Sequence, residues 1–195
     1  EQATGMTVGS FSLSVSPESI ITSTFSFMGK DVKQLASLTD GSPTAASTQK
    51  ILSAVDHVAG VYIKTGTTGA PSYLRPLDGV TSFELNVENN LRSRTEIGEL
   101  GSQSIGQGSI NVTGSLTVYY DEDSGDIAES IYQGFEDSAL SIVLEEEKVN
   151  EAKNFAAQGT ANVTPAVVFE MPRIKITSLT RNATGTGSDV MAEIG

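Results

Sequence analysis

Cysteine and tryptophan are absent from this chain, and histidine occurs once in 195 residues. The missing thiols exclude disulfides and thiolate metal centres, and they fit assembly in a reducing cytoplasm. A chain of this length needs no such staple, because folding buries roughly 70% of its accessible surface. Its one histidine, His57 beside Asp56, has no Gly-x-Ser-x-Gly elbow near it and reads as an ordinary boundary residue. No catalytic residue, metal site or cofactor is therefore expected. Long apolar runs are missing too, none approaching the ~18 residues of a membrane span. The start, EQATGMTVGS, lacks the basic and apolar segments of a secretion signal, and its missing initiator Met predicts processing or trimming.

Positive charge is scarce as well. Twelve Lys and Arg stand against 24 Asp and Glu, for a net charge of −12. The cations never group beyond close pairs such as Arg92/Arg94 and Arg173/Lys175. A reader of nucleic acid needs a basic stripe to displace counterions from phosphates, and this chain offers the reverse. Eleven of the 24 acids lie between Asp121 and Glu151, with Lys148 the single base among them. Excess acid serves solubility, and its sign is open to a functional role.

The acids do not assemble a convincing ion site. An EF-hand loop starting at Asp121 wants an oxygen ligand fifth, glycine sixth and glutamate twelfth, where this chain has Gly125, Asp126 and Tyr132. A turn ending in a helix cap explains the same residues. Glu145-Glu146-Glu147 reads as a solvated strand end. Asn111-Val-Thr113, Asn162-Val-Thr164 and Asn182-Ala-Thr184 match the glycosylation pattern, which means little without a secretion signal. Glycines 98, 101, 106 and 108 precede no helix, so they do not read as a phosphate cradle.

What is present is alternation. Phe11, Leu13 and Val15 alternate with serines, Ser16-Pro17-Glu18 turns, and Ile21, Phe25 and Phe27 return before Gly29. This predicts a hairpin with one dry face. Phe83, Leu85 and Val87 alternate with Ser82, Glu84, Asn86 and Glu88. After a Gly-rich link, Ile110, Val112, Leu116, Val118 and Tyr120 share one face of a second strand. Such a pair reads as antiparallel strands.

Elsewhere the pattern varies. From Lys30 to about Ser47 small and polar residues dominate, which predicts a long excursion with no core of its own. Ile51, Leu52, Val55 and Val58 allow a short helix, whereas Val61-Tyr62-Ile63 reads as strand, and Gly66 to Pro76 as a turn-rich link. Asp126-Ile127-Ala128-Glu129 fits a capping box, and Ile127, Ile131, Tyr132 and Phe135 form the stripe of a helix laid on a sheet. Leu140 to Leu144, Val163 to Met171, Ile174 to Leu179 (split from the last by Pro172) and Asp189 to Ile194 read as further strands, with Thr180 to Ser188 a turn. Eight or nine strands and one helix predict a mainly β fold: a single β-sandwich or barrel-like domain over 1–195, flanked by one helix, with an inter-subunit loop at about 30–60.

The words Asn89-Asn90-Leu91-Arg92, the Gly-spaced link, and Ile110 through Gly114-Ser115-Leu116 into an aromatic strand end resemble the tail tube proteins of long-tailed bacteriophages. The resemblance covers most of the chain, most clearly Gly79 to Phe135. It implies a structural virion protein, assembled in the host cytoplasm, whose hexameric rings stack into a tube through which DNA passes. Its implied partners are further copies of itself, tail tip or baseplate, terminator and tape measure proteins, with no membrane, enzyme activity or cofactor. For the lumen the chain offers Glu84, Glu88, Glu96 and Glu99. Two other readings stay open: the tube of a contractile injection or secretion apparatus, and a carbohydrate-binding or adhesin-like β module. The second is poorly served by a chain with no Trp and five Tyr.

Overall fold

A computed structural model describes residues 2–34, 45–46, 51–55, 58–65, 73–98, 101–120, 132, 138–145, 166–182 and 189–195. In chain order the strands are β1 (Gln2–Thr4), β2 (Thr7–Val15), β3 (Thr22–Met28), β4 (Asp31–Lys33), β5 (Val58–Thr65), β6 (Tyr73–Pro76) and β7 (Val80–Glu88). They continue as β8 (Arg92–Arg94), β9 (Ser104–Gly106), β10 (Asn111–Tyr119), β11 (Ser138–Glu145), β12 (Ala166–Ile174), β13 (Leu179–Asn182) and β14 (Met191–Ile194). The fold is mainly β, as the alternation predicts. Of the helix expected over Asp126 to Phe135, only Tyr132 is among the described residues, and it is helical.

The strands form a six-stranded sheet of order β13-β14-β10-β7-β2-β3, a four-stranded sheet of order β12-β11-β5-β6, and the ribbons β1-β4 and β8-β9. Two compact units share them. The first comprises Glu1–Leu13, Thr22–Gln49 and Leu85–Thr113; the second comprises Ser14–Ile21, Lys50–Glu84 and Gly114–Gly195. β2, β7 and β10 each run from one unit into the other.

The second unit holds most of the core. Its four-stranded sheet is antiparallel throughout. Alternation buries Val61 and Ile63 of β5, while central β11 is buried on both faces from Ser138 to Ser141 and again at Ile142 and Leu144. Each such Leu or Ile contributes roughly 1.5–3 kcal/mol by leaving water. Phe83 of β7, Leu116 and Val118 of β10, and Ala192 and Ile194 of β14 are buried from the other sheet. A cavity of about 380 Å³ is lined by Val80 to Phe83 and Tyr119 on one side and by Val61, Ile142 and Leu144 on the other. Within this unit the two sheets therefore face each other as a sandwich.

Several expectations need correction. Pro172 does not split a strand: β12 runs through it to Ile174. The strand lies at the sheet edge, and its register against β11 shifts from Met171↔Leu140 to Ile174↔Ser138. A bulge at an edge tolerates a residue with no N–H. The strand expected over Ile174 to Leu179 is displaced to β13, because Thr177 and Ser178 donate to Gly195 O instead. Residues Tyr73–Pro76, read as a turn-rich link, pair with β5. No helix forms over 51–55, where Ile21 N donates to Leu52 O and Ser53 bridges Ile20. The excursion expected from Lys30 begins as strand β4, paired with β1; residues 35–44 and 47–50 lie outside the described residues.

Candidate assembly surface

In the first unit four strand segments lie side by side in the order β10-β7-β2-β3. Their directions follow from a few contacts. Ser10 Oγ lies 2.6 Å from Ser26 Oγ, and the Phe11 and Phe25 rings meet at 4.9 Å. One index rises as the other falls, so β2 and β3 are antiparallel. Asn89 N donates to Gly9 O at 2.9 Å. Because β7 ends at Glu88 and β2 begins at Thr7, only an antiparallel run lets the two overlap. Tyr119 N donates to Gly79 O and Thr81 Oγ1 to Thr117 O, which makes β7 and β10 antiparallel as well.

The registers sort the side chains onto two faces. On one lie Phe11, Leu13, Phe25, Phe27, Leu85 and Val87. The sequence predicts this face to be dry, yet only Leu13 and Leu85 are buried, while Phe25 and Phe27 are 52% and 56% exposed. The two rings stack at 6.4 Å in the open. The other face carries Ser10, Ser12, Thr24, Ser26, Asn86 and Glu88, with Val8 and Met28 at one end. These positions include no Lys or Arg. In the second unit Glu84 continues the outward alternation of β7.

Among the described residues, both lateral edges of this segment are open. β3 ends the sheet, and all its residues but Met28 are exposed. On the far side, β14 pairs with β10 only from Leu116 to Tyr119. Asn111–Thr113, in the first unit, therefore have no strand beyond them among the described residues, and Ile110 and Val112 are 67% and 53% exposed. A monomer with two open edges and bare phenylalanines is poised for sheet-to-sheet pairing.

An asparagine corner fixes the end of β7. Asn89 Nδ2 donates to Val8 O at 3.2 Å, and Asn90 Nδ2 to Ser109 O at 2.8 Å. Asn90 adopts φ 44°, a left-handed conformation that asparagine tolerates. A Cβ at Gly108 would stand 2.5 Å from Asn90 O, so this approach needs glycine. The corner is built from residues that carried the family resemblance.

That correspondence extends to the full length. A family model described as phage tail tube protein matches residues 1–195. The chain belongs to this family. It is accordingly a structural, β-rich component of a phage tail, of a kind that self-assembles into a tube. No curated protein matches the chain.

Four acids are expected to line a lumen: Glu84, Glu88, Glu96 and Glu99. Glu84 and Glu88 share the exposed face of β7, Glu96 lies on the connection between β8 and β9, and Glu99 is outside the described residues. His57, Asp121 to Asp126, and Glu146 and Glu147 are also outside them. Among the described residues no three acidic or His side chains gather as a metal site, and no helix is long and apolar enough to cross a membrane. Sequence reasoning missed Phe25 and Phe27 as surface groups. Their alternation marks a dry face without saying whether the same chain covers it.

Proposed function

We propose that six copies close into a ring by joining the open edge of β3 in one subunit to the open edge of β10 in the next. The two bare edges of the first unit carry this reading. Pairing them leaves no free edge, and a closed cyclic arrangement satisfies every backbone donor at the joints. Four strands from each of six subunits make a 24-stranded barrel. At a strand spacing of ~4.8 Å and a tilt of ~40°, its backbone diameter is roughly 48 Å. Such a barrel is wider than a porin and leaves room for a duplex.

The polar face of Ser10, Ser12, Ser26, Asn86, Glu84 and Glu88 serves as the lumen wall, and the Phe25/Phe27 face turns away from it. A wall of small polar groups and acids holds no cation that would grip a passing phosphate. Six subunits at −12 give a ring a formal charge of −72. Stacked rings then form the channel for the genome, and Glu96 and Glu99 are assigned to its rim. The segment at about 30–60 acts as an arm of a single subunit domain, ordered against the next copy. Its described flanks support this, since β4 and the Ser53 bridge tie both ends down.

Negative-stain microscopy of the purified chain tests the reading. Rings or tubes are expected, and they should disappear in Val112→Lys, which places a charge on an edge. A chain that stays monomeric at high concentration, or a Val112→Lys variant that polymerises normally, overturns the edge assignment.

A further inference from the structure

The β8–β9 ribbon gathers positive charge at one end of the first unit's strands. Three contacts fix where it lies. At its base Asn90 Nδ2 donates to Ser109 O at 2.8 Å, beside the end of β7. Leu91 comes within 3.8 Å of where a Cβ on Gly9 would stand, near the start of β2. At its far side Ser102 N donates to Lys30 O at 3.1 Å, just past the end of β3. The ribbon therefore runs across the ends of these strands, with Arg92 opposite Gly106 and Arg94 opposite Ser104. Glycine at 106 leaves room for the Arg94 guanidinium, whose Nε lies 3.0 Å from a Cβ placed there.

All four Lys and Arg of the first unit, Lys30, Lys33, Arg92 and Arg94, stand at this end, and all are exposed. Lys33 lies 3.6 Å from Asp31, whereas Lys30, Arg92 and Arg94 form no ion pair among the described residues. Glu88, ending β7, and Glu96, following β8, are the other described acids here. The opposite ends of the same strands are acidic. Glu18 follows β2, Asp78 precedes β7, and Asp189 precedes β14, whose Met191 is opposite Tyr119 at the end of β10. All three acids are exposed. A cation near them, Arg181, is occupied over the Tyr120 ring at 4.9 Å. The whole chain follows the same division: the first unit has four Lys and Arg against six Asp and Glu, the second eight against eighteen.

In a ring, strands tilted by ~40° bring their two ends to opposite rims. Resting on the ring reading above, we propose that the ribbon is the contact between stacked rings: Lys30, Arg92 and Arg94 of one copy meet Glu18, Asp78 and Asp189 of a copy in the next ring. Guanidinium groups bind carboxylates through two parallel hydrogen bonds, which favours this approach over others between chains that each carry −12. The pairing also sets polarity. Rings stacked in one sense place cations on acids, whereas an inverted ring would set cations on cations or acids on acids. A contact between two different patches repeats without closing, as a tube requires.

Assembly of the full chain, followed by sedimentation and negative-stain microscopy, tests this contact through its salt dependence. Arg92→Ala/Arg94→Ala should need on the order of 10-fold more protein than the parent to form tubes at low ionic strength, and the gap should close at about 1 M salt, where the screening length is ~3 Å. Single rings should persist in the variant, with an unchanged melting temperature, because the contact lies between rings. Arg92→Lys/Arg94→Lys should keep its tubes. Arg92→Glu/Arg94→Glu should stop at rings, and adding Glu18→Lys and Asp189→Lys, which returns the net charge to −12, should bring tubes back. A gap that stays the same at high salt shows that the lost contact is not ionic and overturns the proposal. Normal tubes from Arg92→Glu/Arg94→Glu overturn it also, and leave the ring reading intact. A swapped chain that melts as the parent does yet stops at rings overturns the assignment of the acidic partners. If the parent forms no rings, both readings fall together.

Discussion

Val118 and Ala192 are directly opposed across the β10–β14 ladder, and each has 0% of its surface exposed. Leu116 and Ile194 repeat the arrangement one step along, at 6% and 8%. A small side chain faces a larger one at the pair where no space is left over. That fixes the register of the last strand, since a slip of one residue would turn Glu193 inward.

The first prediction tests that fit. Ala192→Leu adds three carbons to a filled site and should cost about 1–3 kcal/mol. For a chain of this size that lowers the melting temperature by roughly 2–12 °C. Calorimetry on the unassembled protein checks it, and an unchanged transition would show that the site has room to spare.

The second prediction separates folding from assembly. Phe25→Ser and Phe27→Ser remove rings that are already more than half exposed. The monomer's stability should move by no more than ~0.5 kcal/mol, as for surface positions generally. Its sedimentation should nevertheless shift strongly from large assemblies toward monomer. A large loss of stability without any loss of assembly would mean the two rings serve the subunit's own core.

The same pair shows where sequence reading succeeds and stops. Alternation placed Phe11, Phe25 and Phe27 on one face, and the Phe11–Phe25 ring contact agrees. Periodicity reports which side chains share a face and nothing about what covers it, so the bare face was not legible. Short strands were missed for another reason: Asp31–Lys33 and Tyr73–Pro76 are three and four residues long, too brief for any period to register. Strand β12 reads as two pieces in the sequence because proline's lost donor breaks a central strand but not one at a sheet edge, and position in the sheet is not written in the local sequence. Glu84 and Glu88 are exposed, as the alternation of β7 predicts, whereas Glu96 sits on the connection after β8, where period two carries no information.

The third prediction concerns the asparagine corner. Asn90→Gly keeps the φ of 44° and loses only the bond to Ser109 O, so it should cost about 1 kcal/mol. Asn90→Val loses the bond and also forces a β-branched residue into the left-handed region, which should add roughly 1–3 kcal/mol. Equal effects of the two substitutions, measured by denaturant unfolding, would show that the backbone conformation is not what asparagine supplies here.

The fourth prediction, a hypothesis motivated by the cation-free face of β7, links charge to passage. Reversing Glu84 and Glu88 to Lys changes each subunit by four charges and the proposed ring of six by 24, from −72 to −48. The ring as a whole stays acidic, so any effect must be local. Lysines aimed into the channel would exchange counterions for phosphate contacts and slow a sliding duplex. Screening sets the range of that attraction at about 8 Å in physiological salt and about 30 Å at 0.01 M. Ejection from particles that still assemble should therefore slow most at low ionic strength and recover as salt rises. Ala at the same positions should leave the rate nearly unchanged, because it removes repulsion without adding a donor. Equal ejection rates for the Lys variant and the parent across the whole salt range would place Glu84 and Glu88 away from the path of the DNA.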